Sequence, residues 1–367
     1  MKIYRFLISG GGTGGHIYPA ISIADELSKS FISSEILFVG SIDRMEMNKV
    51  PEHGYNIKGL WISGIKRNIH FSNLLIPFKI LHSLIKSYLI IKKFKPDFVI
   101  GTGGFASGPI LYVASKLKLP TLIQEQNSYA GLTNKILSNS VETICVAYDN
   151  MSKYFPSNKI FFTGNPIRKE IYESKISKKE SDDYFDISRP NKVLLVLGGS
   201  LGAKCINEFI SKNLEFFNNN KIEIIWQCGN IYYDRYKKYN SQKVKLFPFI
   251  KDINKAYNSA DYIISRSGAS VISELCIVAK PVIFVPSPNL TEDHQTKNAI
   301  NIVKNNAAVM VKEKDLNKMF FSVFKKIIND ESYSKELSKS IKLLAKPDAT
   351  NRIVEQIKRR LKNGNKL

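Results

Sequence analysis

The chain has 367 residues, 44% of them hydrophobic and 11% aromatic, which suffices for packed cores and favours two domains over one. Its formal net charge of +22 points to an anionic partner, although lysine is spread so widely that local clusters carry more information than the total. The sequence offers no C-x-x-C pair, no apolar leader and no uncharged apolar run long enough for a membrane-spanning helix, which argues against a disulfide scaffold, a secreted protein and an integral membrane protein.

Taken in order, Tyr4–Ser9 reads as a buried strand. It runs into Gly10-Gly11-Gly12-Thr13-Gly14-Gly15-His16, and Ala20, Ile23, Ala24 and Leu27 then recur at helical spacing. A glycine-rich strand-to-helix turn lets a ligand approach the backbone and exposes the N–H groups of the helix start, a natural seat for phosphate. Further strands are expected at Glu35–Val39, Asp97–Ile100, Thr121–Gln124, Thr143–Val146 and Lys159–Thr163, with helical patterns between them. Such alternation predicts βαβ units and a parallel sheet.

Ser72–Lys95 reads as a helix with Pro77 in its first turn. Lys79, His82, Lys86 and Lys93 form one narrow polar stripe, and apolar residues cover the rest. That leaves two alternatives: a well-buried helix, or a patch that dips into a membrane interface with Lys79, Lys86, Lys92, Lys93 and Lys95 against anionic lipid. A second glycine loop, Gly101-Thr102-Gly103-Gly104-Phe105, again ends a strand, and the pair suits a diphosphate. The polar cluster Gln124-Glu125-Gln126-Asn127 lies at the next strand end, where ligand-facing groups belong.

After a polar stretch, Ser174–Asn191, the pattern restarts. Strands are expected at Lys192–Leu197, Glu223–Gln227, Val244–Phe247, Tyr262–Ser265, Pro281–Val285 and Ala308–Val311. Gly198-Gly199-Ser200-Leu201-Gly202-Ala203 and Arg266-Ser267-Gly268-Ala269 follow two of them and open helices. Glu274 could accept two sugar hydroxyls, or serve as a first-turn carboxylate facing the helix dipole. The fold class is therefore α/β: two Rossmann-like domains joined near Gly164-Asn165-Pro166, with ligands in the cleft between them. The expected boundaries are 1–163, 164–345 and a C-terminal helix in 346–367 that could pack back on the first domain. Cys145, Cys205, Cys228 and Cys276 sit in apolar segments and read as core residues of a reduced, cytoplasmic protein.

The chain lacks G-x-x-x-x-G-K-[ST], zinc-ligand spacing, H-E-x-x-H and D-x-D, so neither a P-loop enzyme nor a metal-dependent sugar transferase is expected. It shows no recognised nucleic-acid-binding module, which argues against nucleic acid as a partner. Gly10-x-Gly12-x-x-Gly15 matches a dinucleotide fingerprint, but strand two ends Phe38-Val39-Gly40-Ser41 without the acidic residue a dehydrogenase needs.

The ordered set Gly11–His16, Gly101–Phe105, Gln124–Asn127 with Ala130–Lys135, Gly164–Arg168, Gly198–Ala203 and Arg266–Glu274 resembles glycosyltransferase family 28. Its lipid II-forming N-acetylglucosaminyltransferases have the GT-B fold. The resemblance spans residue 10 to about residue 299, nearly the whole chain. It implies transfer of GlcNAc from UDP-GlcNAc to the 4-hydroxyl of MurNAc in lipid I, with inversion and without a cofactor or bound metal. It implies a donor site of Thr13, Gly14, Gly15, Asn127, Arg168, Ser200, Ile250, Ala269, Ser270, Val271, Ile272, Ser273, Glu274 and Gln295. Ile250 would read uracil through its backbone, Glu274 would hold the ribose, and Gln295 and Asn127 would contact GlcNAc. Gly12, Thr13, Gly103 and Gly104 would take the acceptor diphosphate. The implied location is peripheral, on the cytoplasmic face of the inner membrane, with an anionic lipid surface and other cell-wall synthesis proteins as partners. Gln124 stands where many members have His, and Leu201 and His294 where many have Gln. Chemistry asks for a base at the acceptor hydroxyl, for which His16 is the candidate and Glu125 the alternative, and for positive charge at the leaving diphosphate, for which Arg168 is the candidate. Readings left open are a UDP-GlcNAc 2-epimerase, a diacylglycerol glycosyltransferase and a non-catalytic membrane scaffold.

Overall fold

A computed structural model describes residues 2–64, 75–173, 176–288 and 293–364. The chain forms two compact units, Met1–Arg168 with Lys346–Leu367, and Lys169–Ala345. The first contains β1 (Tyr4–Gly10), α1 (Gly14–Ser30), β2 (Ser34–Ser41), α2 (Glu46–Glu52), β3 (Asn56–Leu60), α3 (Ile76–Phe94), β4 (Phe98–Gly103), α4 (Ser107–Lys116), β5 (Thr121–Glu125), α5 (Leu132–Leu137), β6 (Thr143–Val146) and β7 (Ile160–Phe162). The second contains α6 (Lys169–Tyr172), α7 (Lys178–Tyr184), β8 (Lys192–Leu197), α8 (Lys204–Lys212), α9 (Leu214–Asn219), β9 (Ile222–Gln227), α10 (Tyr233–Tyr236), β10 (Val244–Phe247), α11 (Ile253–Ser259), β11 (Tyr262–Ser265), α12 (Ala269–Val278), β12 (Val282–Phe284), α13 (His294–Val303), β13 (Val309–Met310), α14 (Leu316–Asn329) and α15 (Glu331–Leu343). The last helix, α16 (Ala349–Gly364), returns to the first unit.

The first sheet has the order β3-β2-β1-β4-β5-β6-β7 and the second β10-β9-β8-β11-β12-β13. Both are parallel throughout. Parallel sheets are covered on both faces, so their strands read as unbroken apolar runs. In β1, Phe6 and Ile8 pack on the α1 side while Leu7 packs with Ile110 and Leu111 of α4 on the other. Ile353, Val354 and Ile357 of α16 complete the α1 layer and are buried. Strand order reverses between β1 and β4 and between β8 and β11, so the four glycine-bearing turns lie at the two topological switch points.

Strand β3 carried no sequence signal. It is an edge strand paired only with β2, interrupted by Gly59, and only Leu60 of its five residues is buried. The described part of the polar stretch before β8, residues 176–191, also proves structured. Ser177 and Glu180 form a reciprocal capping box that starts α7, and Arg189 grips both Asp182 oxygens, at 2.8 and 2.9 Å, and Asp261 at 2.7 Å.

Helix α3 excludes the well-buried alternative; residues 72–74 of the expected helix lie outside the described residues. Its buried positions are Ser83, Ser87 and Ile91, whereas Phe78, Leu81 and Leu89 are 67%, 59% and 59% exposed. The small serines let the helix approach its neighbours, and Ser83 donates to the Trp61 carbonyl at 3.1 Å. Lys79 is not part of an outer stripe. It is half-buried, donating to Ser63 at 3.0 Å with its ammonium over the Trp61 ring.

Candidate active site

In the first unit, the turns after β1 and β4 pack backbone against backbone. Gly11 N donates to the Gly103 carbonyl at 3.3 Å, and the Cα of Gly104 stands so close to Gly11 that a side chain there would overlap the Gly11 carbonyl oxygen. Thr102 Oγ1 donates to the His16 carbonyl at 2.8 Å, fixing the first turn of α1. Thr13, Gly14 and Gly15 begin that turn, so their N–H groups have no acceptor within the helix. Gly12 differs from the expectation for phosphate binding, because its N–H is donated to Glu46 Oε2 at 2.9 Å.

His16 projects from α1 against Gly103, and a β-carbon on Gly103 would stand 3.0 Å from Nε2. Its Nδ1 lies 3.0 Å from the Gly11 carbonyl oxygen and 3.4 Å from Thr13 Oγ1. A carbonyl can only accept, so Nδ1 carries the hydrogen, and Nε2 of the neutral ring is left with its lone pair.

Glu125 is unsuited to the role of alternative base. It is 1% exposed, and its oxygens accept from Asn127 N at 3.0 Å, Asn127 Nδ2 at 3.2 Å, Gly131 N at 2.9 Å and Asn134 Nδ2 at 2.8 Å. Four donors around one carboxylate occupy its lone pairs and make it the post that shapes the β5–α5 turn. Asn127 is thereby oriented just beyond the C-terminal end of β5. Gln124 and Gln126 are likewise structural, since Gln124 Nε2 donates to Asn165 Oδ1 at 2.9 Å and Gln126 Nε2 to the Thr102 carbonyl at 2.6 Å. Arg168 closes the first unit's main segment with its guanidinium over the Tyr18 ring, 5.9 Å from the centroid.

The second unit carries Ser200, Ile250, Ala269–Glu274 and Gln295. Ser200 is exposed on the turn after β8. Ile250 offers uracil less than expected, because its N–H is donated to Gln227 Oε1 at 2.9 Å and only its carbonyl remains. Helix α12 starts at Ala269 after Gly268, with no side-chain cap on its first N–H groups. Ser270 Oγ lies buried there without a partner among the described residues. Ser273 donates to the Ala269 carbonyl one turn back at 3.1 Å, and Ile272 is buried at 1% exposure, so Ile272 does not present its side chain to a ligand. Glu274 stands in the second turn of α12 rather than the first, which removes the dipole explanation, and Tyr257 OH donates to its Oε2 at 3.0 Å. Gln295 Oε1 accepts from Ser287 N at 2.8 Å.

Three residues were not singled out by sequence reasoning. Gln227 ends β9 and clamps two turns, donating to the Gly199 carbonyl at 3.0 Å while holding Ile250. A polar residue closing a buried apolar strand was the available signal. Tyr257 and Glu46 gave none, since Tyr reads as core and a lone acidic residue at a helix start reads as dipole matching. The cysteines are not nucleophiles in waiting: burial pushes Cys228 up to about 11 and Cys276 to about 12. Cys205 is only half-buried, beside Arg266 and Glu313, and desolvation again takes it to about 12.

The sequence profile of the glycosyltransferase family 28 N-terminal domain matches residues 6–146, and that of the C-terminal domain matches residues 193–353. A Flavobacterium psychrophilum protein named UDP-N-acetylglucosamine–N-acetylmuramyl-(pentapeptide) pyrophosphoryl-undecaprenol N-acetylglucosamine transferase is 52% identical over 97% of this chain and 98% of its own. A Bacteroides fragilis protein of the same name is 45% identical over 96% and 94%. The crystal structure of Acinetobacter baumannii MurG superposes with a TM-score of 0.78 at 26% identity, covering 98% of this chain and all of that one. A Neisseria meningitidis UDP-GlcNAc 2-epimerase shares the fold, at 17% identity and a TM-score of 0.68 over 97% of this chain and all of its own.

Proposed function

This chain belongs to glycosyltransferase family 28, and from that premise we propose that it transfers GlcNAc from UDP-GlcNAc to the MurNAc 4-hydroxyl of undecaprenyl-diphosphate-MurNAc-pentapeptide, lipid I. The products are lipid II, an intermediate of peptidoglycan synthesis, and UDP. The observation that carries this reading is the 52% identity to a transferase of that name over essentially both full chains.

The chemistry assigns roles to the residues described above. His16 Nε2 takes the proton of the acceptor hydroxyl as its oxygen attacks C1 of the donor sugar. The C1–O bond to UDP breaks on the opposite face, so the configuration at C1 inverts and the electron pair leaves on the diphosphate. That negative charge is met by Arg168, Ser200, the buried Ser270 hydroxyl and the N–H groups opening α12. Glu274, held by Tyr257, accepts the ribose hydroxyls, and the Ile250 carbonyl accepts from the uracil ring. Asn127 and the Gln295 amide nitrogen face GlcNAc. Thr13, Gly14 and Gly15 supply N–H groups to the transferred sugar and, with the Gly103–Gly104 turn, to the acceptor diphosphate. Glu125 orients Asn127 and takes no proton.

The acceptor is a membrane lipid, and the exposed apolar residues of α3 supply a docking face for it. No helix among the described residues is long and apolar enough to cross a membrane. Phe78, Leu81, Ile85 and Leu89 seat at the interface of the inner membrane's cytoplasmic leaflet, with Lys92 and Lys93 against anionic headgroups. Tyr112 of α4 and Leu132 and Ile136 of α5 are also exposed and extend the apolar surface.

Radiolabelled GlcNAc transfer to a lipid I analogue tests the activity. Lipid I-dependent label in the lipid product is expected. Release of UDP-ManNAc without transfer would mark an epimerase instead and overturn the reading.

A further inference from the structure

Beneath the first glycine turn lies a carboxylate that the reaction as described does not use. Glu46 is 0% exposed. Its Oε1 accepts from Ser41 N and its Oε2 from Gly12 N, each at 2.9 Å, and no cation pairs with it among the described residues. It thereby ties together the ends of β1 and β2. A side chain on Gly11 would overlap its Oε1, so the loop can lie against the carboxylate only with glycine at that position.

The Gly12 N–H held by Glu46 and the Gly11 carbonyl that accepts from His16 Nδ1 belong to one peptide group. In a trans peptide the N–H and C=O bonds point in opposite directions. Glu46 therefore grips one side of the plane and His16 the other. A carboxylate at an amide N–H draws the amide toward its charge-separated form, which enriches its carbonyl oxygen and strengthens the bond that oxygen accepts. We propose that Glu46 is a positioning residue that acts on His16 through the Gly11–Gly12 peptide, fixing the ring with hydrogen on Nδ1 and stabilising the imidazolium formed when Nε2 takes the acceptor proton. No proton crosses the peptide. The arrangement performs with an interposed amide the orienting task that a carboxylate performs directly on an active-site imidazole. This inference rests on the reading of His16 as the base.

The first test needs no variant. In the full chain, nitrogen NMR of the imidazoles, with His16 identified among the five histidines by its loss in His16→Gln, should show the neutral His16 ring protonated at Nδ1. A ring protonated at Nε2 overturns the proposal. The second test is Glu46→Gln. Whichever way its amide turns, it cannot offer the charged acceptor that two N–H groups now share. A fall in kcat of about tenfold to a hundredfold is expected, the scale seen when a partner that orients a functional group is lost. The KM for UDP-GlcNAc should stay within about threefold, since the donor residues are untouched. The effect should vanish in the His16→Gln background. An equal loss in both backgrounds would mean that Glu46 acts independently of His16 and would overturn the proposal. If His16→Gln alone keeps the wild-type rate, the base assignment fails instead, and the tautomer measurement still decides whether the carboxylate–peptide–imidazole arrangement exists.

Discussion

Substituting alanine for two glycines of nearly equal φ separates the cost of conformation from the cost of the site. Gly54 has φ +82 and Gly104 φ +87, both in the left-handed region that costs an L-residue about 1–2 kcal/mol. A β-carbon on Gly54 meets nothing within 4 Å, so Gly54→Ala should show that cost alone. On Gly104 it overlaps the Gly11 carbonyl oxygen and stands 3.0 Å from both the Gly11 carbonyl carbon and nitrogen. Backbone cannot rotate aside as a side chain can, and forced overpacking adds about 1–3 kcal/mol. Gly104→Ala is therefore expected to cost about 2–5 kcal/mol in all. The Gly11 peptide can relieve that strain only by moving, and its carbonyl is the acceptor that orients His16. Each ~1.4 kcal/mol of lost transition-state stabilisation is about tenfold in rate, so a displacement costing twice that predicts at least a ~100-fold fall in kcat. Thermal melting and labelled GlcNAc transfer to a lipid I analogue read the two effects side by side. Gly54→Ala should melt slightly early with normal turnover. A Gly104→Ala protein that melts with Gly54→Ala and keeps wild-type kcat would refute the reasoning.

Other expectations follow from contacts elsewhere. Tyr257→Phe removes one hydrogen bond to the Glu274 carboxylate, worth about 1.5–3 kcal/mol, and should raise the KM for UDP-GlcNAc about tenfold or more while leaving that for lipid I unchanged. An unaltered donor KM would detach Glu274 from nucleotide binding. Leu81→Glu with Leu89→Glu falls on exposed positions, so stability should shift by less than about 0.5 kcal/mol per site while flotation with anionic vesicles is lost. Retained flotation would remove α3 from the membrane face. Burial alone would raise the Asp261 carboxyl, but bonds from Lys178, Arg189 and the Val193 N–H outweigh it and hold the group below its ordinary value of 3.8. A carboxyl so lowered stabilises the fold above its unfolded-state value and loses that contribution as pH falls through the folded-state value. Asp261→Asn should thus melt earlier than wild type at about pH 7, and the gap should close as pH falls below 3.8; a gap unchanged down to about pH 3 contradicts the assignment.

The strands that sit centrally were legible because parallel sheets demand unbroken apolar runs; β6, β8 and β11 fall on their expected residues. Edge strand β3, covered less, had no such run to show. The glycine turns were legible because their chemistry is local. What those turns do depends on partners distant in sequence. Whether the Gly12 N–H faces a phosphate or a carboxylate was decided by Glu46, 34 residues on. The Ile250 N–H was likewise taken by Gln227, 23 residues earlier. For α3 the apolar content was plain, but hydropathy alone could not say that two serines and one isoleucine would turn inward and leave the larger residues outside.

The return of α16 to the first unit has a consequence for how the protein is made. Ile353, Val354 and Ile357 fill the layer against α1, so the N-terminal core stays unsealed until the ribosome has read through the entire second unit. At about 5–20 residues per second, that interval lasts roughly 9–35 s. Throughout it, the buried faces of α1 and the sheet beneath lack their cover and remain available to chaperones or to misassociation. The second unit has no such debt and can mature on emergence. The unit synthesised first is thus finished last, and a premature stop that spares all of the second unit would do its damage at the opposite end of the polypeptide.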